Sequence, residues 1–110
     1  MTTYDFGDVL FVGLPQTAAP TPKNRPVIVI LDIADADLVV VPVTSVPRKG
    51  PGDLPITNWK YAGLRMPSFA RLAKTSLVLK RRIIRTLGRL AGNDRKRVAE
   101  AWRLLYDLKP

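Results

Sequence analysis

The side chains able to do chemistry in this 110-residue chain are arginines, lysines and hydroxyls, because it contains no histidine and no cysteine. The missing cysteine excludes disulfides, thiolate nucleophiles and thiolate zinc sites. The missing histidine excludes the commonest general acid–base and the commonest metal ligand. Glu100 is the sole glutamate, so a carboxylate cage for a divalent cation is not expected. What remains is cationic. Eighteen Lys and Arg face nine Asp and Glu, for a net charge of +9. Residues 1–64 carry five basic and six acidic side chains, whereas residues 65–110 carry thirteen basic and three acidic. A polyanion or an acidic partner is therefore expected for the second half. Lys80, Arg81, Arg82 and Arg85 form its densest run. They could contact nucleic-acid phosphates, hold an acidic protein tail, or form a solvated face. Trp59 and Tyr61, beside Lys60, could stack on bases; equally, Trp59 could pack the mouth of a barrel.

These side chains need a frame, and the chain reads as short strands broken by Pro and Gly. Phe6–Leu14 reads as a first strand. Residues 15–26, with four prolines, read as a long loop of the functional or mobile kind. Val27–Leu31 is a continuous apolar run suited to a buried strand, and Asp32–Asp37 a turn. Leu38–Thr44 reads as a strand whose Pro42 implies an edge or a bulge. After a punctuated loop over 47–55, short strands are expected near 54–58 and 68–72. Ser76–Leu79 opens a basic segment, Lys80–Arg85, that could form a single helical turn, and Thr86–Leu90 could be a last short strand. Asn93 or Asp94 could cap a final helix. Val98, Ala101, Trp102, Leu105 and Leu108 give that helix one apolar face.

The expected fold is thus mostly β (α+β), one domain over 1–110. A curved barrel-like sheet of about five to seven strands would span roughly 6–90, and a C-terminal α-helix about 93–108 would close one end. No apolar run approaches the ~20 residues of a membrane span. Met1–Asp5 lacks a basic region followed by an apolar one, so no secretion signal is read and a cytoplasmic location is expected.

Three segments in order resemble the MazF/PemK toxins. Phe6-Gly7-Asp8-Val9-Leu10-Phe11-Val12 is similar to the family's Gly-(Asp/Glu)-(Val/Ile) opening strand. Asn24-Arg25-Pro26-Val27-Ile28-Val29 is similar to its Arg-Pro-(Val/Ala)-(Leu/Ile)-Val, and Val41-Pro42-Val43-Thr44-Ser45 to its Pro-(Leu/Ile/Val)-Thr-Ser. The block Leu77–Leu90 resembles the stretch leading into the family's last helix. The likeness runs over residues 6–108. It implies an SH3-like barrel with a C-terminal helix. It also implies a homodimer with a groove for single-stranded RNA, a metal-independent, sequence-specific endoribonuclease activity on mRNA with no cofactor, and inhibition by an acidic antitoxin.

By this resemblance Arg25 and Thr44 occupy the catalytic positions. Such cleavage uses the ribose 2′-OH as nucleophile and needs its proton removed, the phosphorane charge stabilised and the 5′ oxygen protonated. Arg25 can fork onto two phosphate oxygens, and Thr44 can position or relay a proton near the 2′-OH. Asn24, Ser45, Lys23, Trp59, Arg71, Lys80 and Arg82 are the expected RNA-binding residues. Some family members carry a catalytic Arg-x-Asp where this chain has Arg71-Leu72-Ala73. That substitution keeps open a non-catalytic nucleic-acid-binding barrel. The CcdB-type gyrase poisons resemble the class in fold but rely on an apolar C-terminal tip with a tryptophan, whereas this chain ends Tyr106-Asp107-Leu108-Lys109-Pro110.

Overall fold

A computed structural model describes residues 2–14 and 23–109, apart from the side chain of Leu14. Strands β1 (Asp8–Leu14), β2 (Lys23–Leu31) and β3 (Asp37–Thr44) are followed by β4 (Asp53–Ile56), β5 (Ser68–Arg71), β6 (Ser76–Leu79) and β7 (Ile83–Arg89). Single 3-10 turns at Leu72–Lys74 and Lys80–Arg82 flank β6, and helix α1 covers Gly92–Leu105. All strand pairs are antiparallel, in the order β4-β5-β3-β2-β1-β7, with β6 also on β3. The loop expected over 15–26 lies outside the described residues except for its last four, which already belong to β2.

The continuous apolar runs follow from burial on both faces of β1–β3, since successive strand side chains point to opposite sides. Val9, Ile28, Val41 and Val43 enter a main core with Ile56, Leu64, Leu72 and Val98 of α1. Leu10, Val12, Val27, Val29, Leu38 and Val40 enter a second core, with Val78, Tyr4 and Ile83. Each of these alternating strand side chains is nearly or wholly out of solvent.

Pro42 corrects the edge-strand expectation, because β3 is the most connected strand of the sheet. One side of β3 pairs with β2. The other side is divided: β6 takes Asp37–Val40 and β5 takes Val43 and Thr44. Pro42 falls at that changeover, so its missing N–H interrupts no ladder on the divided edge.

Among the described residues no ladder joins β4 to β7, so the barrel is open at that seam. The turn over residues 57–64 fills it. There Gly63 has φ +88° and a Cβ would overlap the Leu87 carbonyl, while a Cβ on Gly88 would lie 2.7 Å from Ala62 O. Both positions require glycine for the turn to lie against β7.

Helix α1 also departs from the sequence reading. It begins at Gly92 after Ala91, with no side-chain cap, and ends at Leu105. Asp94 is instead in the first turn, where a negative charge suits the helix dipole. Its carboxylate accepts the N–H groups of Thr57 (3.0 Å) and Asn58 (2.7 Å) and one from Arg97 Nη1 (2.9 Å). The would-be cap thus fastens the seam-filling turn to the helix. At the other end Trp102 Nε1 donates to Thr75 Oγ1 (3.1 Å) and Tyr106 Oη to Leu72 O (2.6 Å). Leu108 lies beyond the helix and is exposed rather than part of its apolar face. No described helix is long and apolar enough to cross a membrane.

Candidate nucleic-acid interface

The register of β7, β1 and β2 sets the floor of a cleft. Arg85 is opposite Phe11, and Phe11 is opposite Pro26. The neighbouring pair Val12–Arg25 and then Gly13–Asn24 carry β2 to its exposed start at Lys23. Thr44 and Ser45 arrive from the end of β3, and Gly63–Met66 from the end of the seam-filling turn. These segments enclose a cleft of about 420 Å3 lined by Lys23, Asn24, Arg25, Pro26, Thr44 and Ser45, together with Phe11, Arg65, Met66, Ser68 and Arg85. A second, shallower hollow of about 360 Å3 is lined by Gly13, Asn24, Arg81 and Arg82. Asn24 borders both, so the two hollows adjoin at that residue.

Polar geometry at the cleft is specific. Thr44 Oγ1 accepts the Val46 N–H at 3.1 Å, which orients the hydroxyl while leaving its O–H and one lone pair for a ligand. Buried Ser68 donates to Met66 O at 2.7 Å and fixes the corner that carries Arg65. Arg85 lies over Phe11, with its guanidinium carbon 5.3 Å from the ring centroid.

Among the described residues four cations (Lys23, Arg25, Arg65 and Arg85) line the cleft and no carboxylate does. None of the four is in an ion pair among the described residues. Such a surface favours an anionic ligand, with a planar fork at each guanidinium suited to phosphate. Among the described residues no three His, Cys, Asp or Glu side chains converge where they could hold a metal ion.

The structure therefore brings together Lys23, Asn24, Arg25, Thr44 and Ser45, and sets Arg82 in the adjoining hollow. Three expected RNA-binding residues are elsewhere. Trp59 packs against the main core with Lys60 Nζ 5.7 Å from its ring centre. Arg71 pairs with Asp53 at 3.3 Å. Lys80 turns inward to Asp32 at 3.0 Å and is only 10% exposed. Desolvation acts to raise the pKa of Asp32. The Lys80 ammonium and the N–H groups of Tyr4 and Ala34 outweigh it and hold the carboxyl below its ordinary value. Ala73, at the position where some family members carry Asp by the sequence resemblance, is exposed on the 3-10 turn and lines neither hollow. Arg65 was not singled out by the sequence. Its signal is weak: it is the first cation after the charge balance changes, on a segment with no motif of its own.

Residues 5–106 match the family described as PemK-like, MazF-like toxin of type II toxin–antitoxin system. No curated protein sequence matches the chain. Among solved structures, the Mycobacterium tuberculosis toxin MazF-mt6 superposes with a TM-score of 0.71 at 21% identity, covering 92% of this chain and 99% of that one. An endoribonuclease in complex with its cognate antitoxin, from Mycobacterial species, gives 0.76 at 13% identity over 98% and 99% of the two chains. Another endoribonuclease from Mycobacterial species gives 0.77 at 15% identity over 100% and 97%. At these identities the superpositions establish a shared fold.

Proposed function

From the premise that this chain belongs to the PemK-like, MazF-like toxin family of type II toxin–antitoxin systems, we propose that it is a metal-independent endoribonuclease that cuts single-stranded mRNA in the cytoplasm. The observation that carries this reading is the meeting of Arg25 and Thr44 in one acid-free cationic cleft.

Arg25 grips two non-bridging oxygens of the scissile phosphate and offsets the charge that grows on them as the 2′ oxygen attacks. Thr44, oriented by the Val46 N–H, holds the 2′-OH in line. The new O2′–P bond forms as the P–O5′ bond breaks. The 2′-OH proton passes to solvent water, the 5′ oxygen takes a proton from water, and the products are a 2′,3′-cyclic phosphate and a 5′-OH. Lys23, Asn24 and Ser45 position the strand, and Arg82 receives it in the adjoining hollow. The active unit is a homodimer, and its inhibitor is an acidic antitoxin attracted by the net +9 chain.

The test is incubation of the purified protein with a long single-stranded RNA in EDTA, with end-group analysis of the products. Cyclic phosphate ends that vanish with Arg25→Ala are expected. Intact RNA over varied sequences, or scission that survives Arg25→Ala, would overturn the mechanism. Salt-sensitive binding without scission would point to the non-catalytic barrel.

A further inference from the structure

Arg85 is a cation held in place without being neutralised. Cross-strand pairing puts it opposite Phe11, and the ring lies 5.3 Å from its guanidinium carbon. A ring face attracts a cation and restricts where it sits, yet carries no compensating charge. Arg71, Lys80, Arg89 and Arg97, by contrast, are each placed by a carboxylate. Arg85 is also exposed and lines the same cleft as Arg25 and Thr44. Its charge therefore remains available to a ligand in that cleft, and the restricted guanidinium loses less freedom when the ligand arrives.

Spacing separates its task from that of Arg25. Arg85 is on β7 and Arg25 on β2, with β1 between them. Two strand spacings are about 10 Å, so the two guanidiniums enter the cleft from separate strands and can serve two phosphates of one RNA strand. We propose that Arg85, seated on Phe11, is a positioning residue that binds the phosphate next to the scissile one and so fixes how the RNA strand enters the cleft. This inference rests on the reading of the cleft as an RNA site and adds to it a second phosphate subsite. Arg85 touches no reacting atom in this scheme, so its loss weakens binding rather than the chemical step.

The test separates the subsite from the cleavage chemistry by using single-stranded 2′-fluoro RNA, which has no nucleophilic 2′-OH and cannot be cut by this route. Binding is measured against salt, between about 0.1 and 0.5 M, for wild type, Arg85→Ala, Arg85→Lys and Arg103→Ala. One lost phosphate contact lowers the slope of log affinity against log salt by about 0.7 for a single strand, which is about fivefold in affinity at 0.1 M relative to 1 M salt. Arg85→Ala is expected to show that loss and Arg85→Lys to restore the slope. Arg103→Ala, which removes the same charge from exposed α1 surface outside both hollows, is expected to leave it unchanged. On cleavable RNA, Arg85→Ala is expected to raise KM severalfold with kcat near wild type, the mark of lost uniform binding. An unchanged slope in Arg85→Ala, an equal loss in Arg103→Ala, or no RNA binding by wild type would each overturn the proposal. RNA bound with the expected slopes but never cut would remove the ribonuclease reading and leave the subsite standing. RNA cut by a protein whose Arg85→Ala slope is unchanged would do the reverse.

Discussion

The cations around the cleft and the cations that carboxylates hold elsewhere in the fold are the same residue types in opposite circumstances. Lys23, Arg25, Arg65 and Arg85 converge on a hollow with no carboxylate in its wall. Away from it, Arg71 has Asp53, Lys80 has Asp32, Arg89 has Asp5 and Asp8, and Arg97 has Asp94. The paired group ties elements of the fold together, and the cleft group leaves its charge unspent. Net charge measures neither group. What separates them is where the nine acidic residues are: six precede residue 65 in the chain, and four of those six fold back onto cations of the second half.

The two groups of cations should respond in opposite ways to substitution. Arg25→Ala is expected to lower cleavage by about 10²–10³-fold, the scale of a lost transition-state donor. Its urea midpoint should stay near wild type, because no folded-state ion pair is removed. Cleavage assays beside urea titrations check both halves. A large fall in the midpoint would place Arg25 among the structural cations.

Asp94→Ala should behave in the opposite way. The side chain is 1% exposed, and its removal leaves the Thr57 and Asn58 N–H groups and Arg97 without their acceptor. A loss of about 2–4 kcal/mol is expected from that many stranded donors, read from equilibrium urea unfolding. A change within 0.5 kcal/mol, the usual range of a surface substitution, would refute its role as the fastener.

The same contrast holds between neighbours in sequence. Lys80 and Arg82 belong to one basic turn, yet the first is buried against Asp32 and the second borders the outer hollow. Lys80→Ala is expected to lower the urea midpoint clearly with little effect on RNA affinity. Arg82→Ala is expected to weaken RNA binding and make it less salt-sensitive at an unchanged midpoint. Equal behaviour of the two would mean that the turn acts as a diffuse charge patch.

That pair also marks how far the sequence could be read. Most of the strands, the helix and the meeting of Arg25 with Thr44 were legible, because they rest on local patterning and on the order of three short segments; β6 and the start of β7, with Arg85, instead read as a basic segment with a helical turn. Pairing was not legible. Pro42 signals an edge by its chemistry, but the division of β3 between β5 and β6 creates a gap in the middle of the sheet where a proline fits. Asp94 has the residue type and position of a helix cap, but its partners lie 36 and 37 residues away in the chain. Lys80 looks like its basic neighbours until Asp32, across a turn on the far side of β3, claims it. Arg65 and Arg85 join the cleft through the register of β7 and the turn that closes the seam, and neither has a motif.

The smallest expected effect is a pH dependence from Asp32, and its sign distinguishes a structural ion pair from a solvated one. The carboxyl is held below its ordinary value of 3.8, against desolvation, by Lys80 and the Tyr4 and Ala34 N–H groups. Between the depressed folded value and the ordinary unfolded one, the unfolded chain binds the extra proton, so stability rises with pH across that window. The contribution is fully present above the ordinary carboxylate value and is lost as pH falls through the folded one. Asp32→Asn should therefore be less stable than wild type near neutral pH, and the gap should narrow only at pH below about 4. Urea midpoints of both proteins across that range measure the gap. A gap already closed at about pH 5 would mean that the carboxyl titrates at or above its free value, and Lys80 would then lose its place among the cations that hold the fold.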